Sequence, residues 1–222
     1  MTFDIAKTAL LEIDIQNDFC PGGALAVDKG DEVIGPINAL AAGFAGHGGR
    51  VIATADWHPA GHVSFASSHT GKKSGDVLEP AINGGDAQVL WPDHCVQGSA
   101  GADFHKTLDL KSVNLIIRKG FRKNLDSYSA FFENDRKTPT GLEGYLKFLG
   151  IDTVVIGGLA TDYCVLYSAL DAAAIGLETI VLTDAVRGVG FPEGSVERAF
   201  QSMQDAGIIL ASSTEVLAGI HS

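Results

Sequence analysis

Three residues with the chemistry of a nucleophilic site stand at separate points of the chain: Asp14 in EIDIQNDF, Lys119 in IIRKGF and Cys164 in GLATDYCVLYSAL. A thiol becomes a nucleophile when its proton is removed, and a nearby carboxylate can act first as base and then as acid. A lysine beside that carboxylate would keep it ionised and oriented. Alone, each residue has a structural interpretation, because free cysteine usually packs as a small hydrophobe. Together they predict a catalytic triad.

The position of Cys164 favours the functional interpretation. The residue lies about one turn into a predicted helix that follows the apolar run TVVIGG. Backbone N–H groups and the positive end of the helix dipole would stabilise a thiolate there.

A second cluster is suited to metal binding. The segments ATADWHPAGHVSF and LWPDHC supply Asp56, His58, His62 and His94. Asp56 and His58 point to the same side of an extended segment, and a carboxylate with two imidazoles suits Zn²⁺ or Fe²⁺ with open positions. His62 and His94, taken singly, fit loop contacts at least as well.

Six short apolar runs predict the strands that position these residues, at 8–13, 50–55, 113–118, 153–158, 179–184 and 207–212. Helix-compatible segments lie near 31–46, 139–149, 161–175 and 192–205, with Pro139 and Pro192 in first turns and Gly150 and Gly176 at helix ends. The alternation predicts a three-layer α/β/α fold with a six-stranded, mainly parallel sheet.

Strand ends explain how distant residues could meet. Asp14, Asp56 and Lys119 end or follow the first three runs, and Cys164 opens the helix after the fourth. Ligands of open parallel sheets bind beyond the carboxyl ends of the strands, where the strand order reverses. We therefore expect all four groups on one rim.

Length and composition indicate one globular domain over residues 1–222, with a long functional insertion around 57–112 that carries both tryptophans. The net charge of −11 argues against a nucleic-acid partner and favours a small molecule. The opening residues MTFDIAKTALLEIDIQNDF have neither a signal-peptide nor a membrane-span pattern, and the three cysteines form no CxxC pair. We expect a cytoplasmic protein without membrane partners, and homo-oligomerisation stays open.

Five motifs in order resemble the nicotinamidase/pyrazinamidase family of the isochorismatase-like cysteine hydrolases: DIQNDFCPGGALAV, TADWHPAGHVSFA, WPDHCVQGSAGADFH, RKGFRKNLDSYSAF and GGLATDYCVLYSA. The resemblance implies metal-dependent hydrolysis of nicotinamide, and of pyrazinamide, to the acid and ammonia, as a step in NAD salvage. The trio of Asp14, Lys119 and Cys164 alone would indicate only the superfamily, whereas the metal motif narrows it to nicotinamidases.

The resemblance also implies roles for individual residues. Asp14, Lys119 and Cys164 would be the triad, working through a thioester on Cys164. The backbone N–H groups of Ala160 and Cys164 would form the oxyanion hole, beside a cis Leu159–Ala160 peptide. The remaining implied residues are the metal ligands Asp56, His58 and His94, with His62 beside them, and the ring-binding residues Phe19, Trp91 and Tyr128. The metal would be Zn²⁺, with Fe²⁺ and Mn²⁺ as alternatives.

Two other interpretations of the sequence are open at this point. A metal-free relative, such as an isochorismatase or an N-carbamoyl amidohydrolase, would leave the DWH and DHC motifs unexplained. A non-catalytic binding module on the same fold would not need Asp14, Lys119 and Cys164 together.

Overall fold

The computed structural model describes residues 4–79 and 87–220, so the 57–112 insertion is described apart from residues 80–86. Six strands pair in parallel in the order β5–β2–β1–β6–β7–β8, and a two-stranded antiparallel ribbon, β3 and β4, lies in the insertion. The strands are β1 (Thr8–Ile13), β2 (Arg50–Asp56), β3 (Val77–Leu78), β4 (Gln88–Val89), β5 (Leu115–Lys119), β6 (Thr153–Leu159), β7 (Glu178–Arg187) and β8 (Ile209–Ala211). The predicted α/β class and the six-stranded parallel sheet are confirmed.

The central strands are buried on both faces because helices cover the sheet on each side. Every residue of β1 and β6 is buried, which suits continuous apolar runs rather than alternating ones. The five helices are α1 (Ile34–Gly46), α2 (Leu142–Leu149), α3 (Leu166–Ala174), α4 (Ser195–Asp205) and α5 (Ser213–Ile220). Buried side chains of α1 and α5 share one core, and those of α2, α3 and α4 share the other. None of the helices in the described part of the chain has the length and apolarity that a membrane span requires.

The helix boundaries differ from the sequence prediction at several points. Pro139 and Pro192 do not lie in first turns, since α2 begins at Leu142 and α4 at Ser195. The segment predicted as one helix over 161–175 is a π-helical turn, Thr161–Val165, followed by α3. Gly150, in the left-handed conformation at φ 69°, ends α2 as expected.

Helix α5 was missed, although the sequence contains a signal for it. The Ser212 N–H and hydroxyl both contact Glu215 Oε2 at 2.7 Å, and the Glu215 N–H donates back to Ser212 Oγ at 3.2 Å. This reciprocal pattern is a capping box, whose signature is a serine followed three residues later by glutamate. The apolar stretch that follows is short, so the hydrophobic pattern alone did not predict this helix.

The strand order reverses between β1 and β6. From β1 the sheet continues to β2 and β5 on one side, and from β6 to β7 and β8 on the other. Asp14 follows β1 directly, and the Cys164 turn begins two residues after β6 ends. Two of the predicted chemical groups therefore flank the reversal point, where open parallel sheets bind ligands.

The buried carboxyl of Glu12 on β1 should make folding stability depend on pH. Neither carboxyl oxygen has a hydrogen-bond partner among the described residues, and burial, with a smaller effect of Asp109, raises the pKa from 4.5 to about 8. The folded state thus holds a proton that the unfolded chain loses, so the free energy of unfolding should fall as pH rises from about 4.5 to about 8.

Glu12→Gln should remove this slope and make the protein more stable at pH 9 by about 2 kcal/mol, since the amide is never charged. Denaturant unfolding of both proteins at pH 5 and pH 9 measures the effect. Parallel pH profiles for wild type and variant would contradict it.

Candidate active site

The ammonium group of Lys119 joins the three predicted catalytic residues at the rim of the sheet. Its Nζ lies 2.9 Å from Asp14 Oδ2 and 3.3 Å from Cys164 Sγ. It also donates to Asp56 Oδ1 at 2.5 Å and to the Ser127 carbonyl at 2.9 Å. The Lys119 side chain is fully buried, so this charge is held by two carboxylates rather than by water.

The Asp14 carboxylate is held between Lys119 and a hydroxyl that the sequence did not point to. Thr54 Oγ1, on β2, donates to Asp14 Oδ1 at 2.6 Å. The other oxygen, Oδ2, forms the ion pair with Lys119. A carboxylate oxygen of Asp14 and Cys164 Sγ lie within 4.8 Å of each other. Asp14 is therefore placed to exchange a proton with the thiol.

The Cys164 thiol is buried, and burial opposes the thiolate that its position near a helix terminus would favour. Burial raises the pKa of Cys164 well above its usual range. The Lys119 ammonium lowers this pKa, whereas the Asp14 and Asp56 carboxylates raise it further. The side chain is only 6% exposed, and its turn is π-helical. A base must therefore remove the proton.

The carboxylates of Asp14 and Asp56, which both contact Lys119, differ in their surroundings. Burial raises the pKa of Asp14, and the Lys119 ammonium works against that rise. Burial would also raise the pKa of Asp56, but Lys119 and His58 lower it below its usual range. Burial would lower the pKa of Lys119, yet Asp14 and Asp56 hold it well above its ordinary value. Lys119 therefore stays charged.

The side chains of Asp56, His58 and His94 converge as a cation site would require. The Nδ1 atoms of His58 and His94 donate to the backbone carbonyls of Gly120 and Pro92, each at 2.8 Å. The two Nε2 atoms lie 3.5 and 3.9 Å from Asp56 Oδ2. Burial and the neighbouring His58 lower the pKa of His94 to about 4, so this imidazole is neutral. The three buried groups fit a divalent metal ion.

His62 lies beside this set and not in it. Its ring stacks on His58 with a centroid distance of 4.2 Å. Its Nε2 donates to the Leu125 carbonyl at 3.3 Å and its Nδ1 bonds to Ser64 Oγ at 2.7 Å, so both nitrogens are engaged. His62 and His58 also approach Asp126, a buried carboxylate that the sequence analysis did not identify.

A pocket connects Cys164 to the Asp56, His58 and His94 cluster. The three predicted ring-binding residues line it, together with others that the sequence analysis left unassigned: Leu25, Asp126, Tyr163 and Val189. Trp91 Nε1 donates to Tyr128 Oη at 3.2 Å, and the Trp91 and Tyr163 rings meet edge to face at 4.9 Å. The Phe19 ring lies 5.5 Å from the ring of His94. The walls are thus aromatic, with the cation-binding groups at one end.

Ala160 and Cys164 both line the pocket, where the resemblance places the oxyanion hole. The Leu159–Ala160 peptide is cis, as the resemblance implies. The Ala160 carbonyl accepts the N–H groups of Tyr163 and Val165, which fixes the turn that carries Cys164.

Asp162 holds the opposite wall of the pocket. Its carboxylate accepts the N–H groups of Val189 and Gly190 at 2.9 Å and the Ser195 hydroxyl at 2.5 Å. The loop after β7 is thereby fixed against the turn that carries Cys164. This contact could not be predicted from the sequence, because Asp162 and its partners are 27 to 33 residues apart.

Comparison with known proteins agrees with this geometry. The isochorismatase-domain family model matches residues 8–215. The chain is 48% identical over 209 residues to the nicotinamidase of Acinetobacter baylyi, covering 94% of each protein.

Two solved structures extend this finding. The nicotinamidase/pyrazinamidase of Acinetobacter baumanii superposes with a TM-score of 0.89 at 47% identity, over 95% of this chain and 98% of that one. The pyrazinamidase of Pyrococcus horikoshii, solved in complex with zinc, superposes with a TM-score of 0.76 at 35% identity, over 93% and 99% of the two chains. These likenesses span nearly the whole chain, so it belongs to the isochorismatase-domain family and, within it, to the nicotinamidases, hydrolases that act on an amide C–N bond.

Proposed function

We propose that the chain hydrolyses nicotinamide to nicotinate and ammonia, a step of NAD salvage, and accepts pyrazinamide in the same pocket. The observation that carries the proposal is the contact of one buried ammonium, Lys119 Nζ, with Asp14, Cys164 and Asp56. This contact joins a nucleophile and its base to a metal-ligand set at one end of an aromatic pocket.

The acylation step begins with transfer of the thiol proton from Cys164 to Asp14. The sulfur attacks the carboxamide carbon, and the N–H groups of Ala160 and Cys164 stabilise the oxyanion. Asp14 then returns the proton to the amide nitrogen, the C–N bond breaks, and ammonia leaves a thioester on Cys164. Lys119 holds Asp14 in place throughout.

Deacylation uses the same residues in reverse order. Asp14 takes a proton from water, whose oxygen attacks the thioester carbon. The C–S bond breaks and Asp14 protonates the departing sulfur, which regenerates the Cys164 thiol and releases nicotinate. The Asp14 carboxylate thus acts as base and then as acid in both acylation and deacylation.

Ring recognition is divided between the pocket walls and the ligand set. Phe19, Trp91 and Tyr128 surround the flat ring. When bound by Asp56, His58 and His94, a divalent ion, for which we propose Zn²⁺, offers the pyridine nitrogen a Lewis-acidic partner. The donor set of two imidazoles and a carboxylate suits zinc, and the Pyrococcus horikoshii relative was solved with zinc.

Benzamide, which matches nicotinamide in shape but lacks the ring nitrogen, tests this division. Benzamide should be the poorer substrate by about 100-fold, because it has no atom to orient the ring at the ligand set. Ammonia release from both amides, before and after chelation, measures the effect.

Chelation should reduce nicotinamide turnover far more than benzamide turnover. Equal turnover of the two amides by the metal-loaded protein would contradict ring anchoring, and would leave Asp56, His58 and His94 as a structural or water-activating site.

A further inference from the structure

The segment Gln16–Asp18, just after Asp14, contacts all of the loops that supply the metal ligands. The Gln16 side chain is fully buried and forms hydrogen bonds to both the backbone N–H and the backbone carbonyl of Asp56. Its Oε1 accepts the Asp56 N–H at 2.8 Å, and its Nε2 donates to the Asp56 carbonyl at 2.8 Å. The same Nε2 donates to the Ala102 carbonyl at 2.8 Å. The backbone of Asp56 is therefore fixed on both sides.

Asp18 fixes the other two ligands through one residue, Cys95. Asp18 Oδ2 accepts the Cys95 N–H at 2.7 Å, and the Cys95 carbonyl accepts the His58 N–H at 3.0 Å. Cys95 directly follows His94 and has a left-handed backbone at φ 45°, which is unfavourable for a side chain with a Cβ. The bond from Asp18 holds this conformation, and with it the spacing of His94 and His58.

The position of Asp18 is itself fixed by close packing. Its Oδ1 accepts the Ala24 N–H at 3.1 Å, and a Cβ on Gly101 would overlap its carboxylate. Between Gln16 and Asp18, the half-buried Asn17 side chain donates to the Ala100 carbonyl at 2.8 Å, and among the described residues it has no hydrogen bond to a ligand residue. Of these three consecutive residues, Gln16 and Asp18 therefore hydrogen-bond to the backbone around the metal ligands, and Asn17 does not.

We infer that Gln16 and Asp18 are positioning residues for the metal site: they preset Asp56, His58 and His94 and thereby determine metal affinity. This inference rests on the metal site of the proposed function. Groups that orient metal ligands from outside the coordination shell typically contribute 10- to 100-fold in affinity.

Competition for Zn²⁺ between the purified protein and a chelator tests the inference without measuring catalysis. Asp18→Ala and Gln16→Met should each raise the Kd for Zn²⁺ by about 10- to 100-fold. Gly101→Ala should act in the same direction, because it displaces the Asp18 carboxylate without changing it. Asn17→Ala, the matched control, should change the Kd by no more than about twofold.

Two further variants make the outcome decisive. Asp18→Asn keeps an oxygen that can accept the Cys95 N–H, so it should recover most of the affinity lost in Asp18→Ala even if that variant is less stable. His94→Ala should abolish binding and so identifies the site. Absence of Zn²⁺ binding by wild type would refute the proposed metal site itself. Binding by wild type with equal Kd values for Asp18→Ala, Gln16→Met and Asn17→Ala would overturn only the positioning role.

Discussion

Cys164→Ala should lower nicotinamide turnover by about 10⁴-fold or more, because the proposed thioester requires the sulfur of Cys164. The substitution removes only this sulfur, which lies 3.3 Å from Lys119 Nζ. Lys119 keeps its ion pairs with Asp14 and Asp56, so the free energy of unfolding should change by about 1 kcal/mol or less. Ammonia release and denaturant unfolding measure the two quantities on the same preparation.

Cys20→Ala is the matched control for this experiment. Cys20 is also a buried free cysteine, and burial raises the pKa of its thiol to about 11, but it does not line the pocket. Its alanine variant should retain most of the activity. Comparable turnover by Cys164→Ala and wild type would end the thioester mechanism.

Much of the site was predictable because the parallel sheet itself assembles it. Residues 14, 56, 119 and 164 lie up to 150 positions apart, yet each ends or follows an apolar run. Once the runs are interpreted as parallel strands, their carboxyl ends must meet at one edge. The prediction therefore needed only the strand pattern and the residue types at strand ends.

The supporting contacts were not predictable in this way, since they depend on how loops fold back on one another. Thr54 reaches Asp14, and Gln16 reaches Asp56, across 40 residues, while Asp18 reaches Cys95 across 77. In the sequence these are ordinary polar residues with no periodic signal.

The effect of burial on Cys164 was not predictable for a related reason. The sequence places the thiol near a helix terminus and on one rim with Asp14 and Asp56, but it does not reveal how deeply the thiol is buried. Burial, which raises the pKa of Cys164, outweighs the opposing effect of Lys119. The position in the sequence therefore places Cys164 at the rim of the sheet, but it does not show how burial acts on the pKa of its thiol.

Asp14→Asn should reduce turnover by about 10³- to 10⁴-fold, which is the range of a lost general acid–base group. The amide keeps the size of the carboxyl and can still accept the Thr54 hydroxyl, but it cannot take the proton of Cys164. Because Asp14 is the proposed base for the Cys164 thiol, thioester formation should already fail in a single turnover, and this separates acylation from the later water attack. Rapid-quench detection of acylated protein measures that step directly.

Nicotinate affinity distinguishes proton transfer from binding. Asp14 does not line the aromatic pocket, so calorimetric titration with nicotinate should give a Kd for Asp14→Asn close to that of wild type. Glu12→Gln makes the same carboxyl-to-amide change on the preceding strand, two residues away and outside the pocket, and it should leave turnover unchanged. If nicotinate affinity fell in parallel with the rate in Asp14→Asn, the carboxylate would be a binding group, and the base for Cys164 would have to be sought elsewhere among the groups around Lys119.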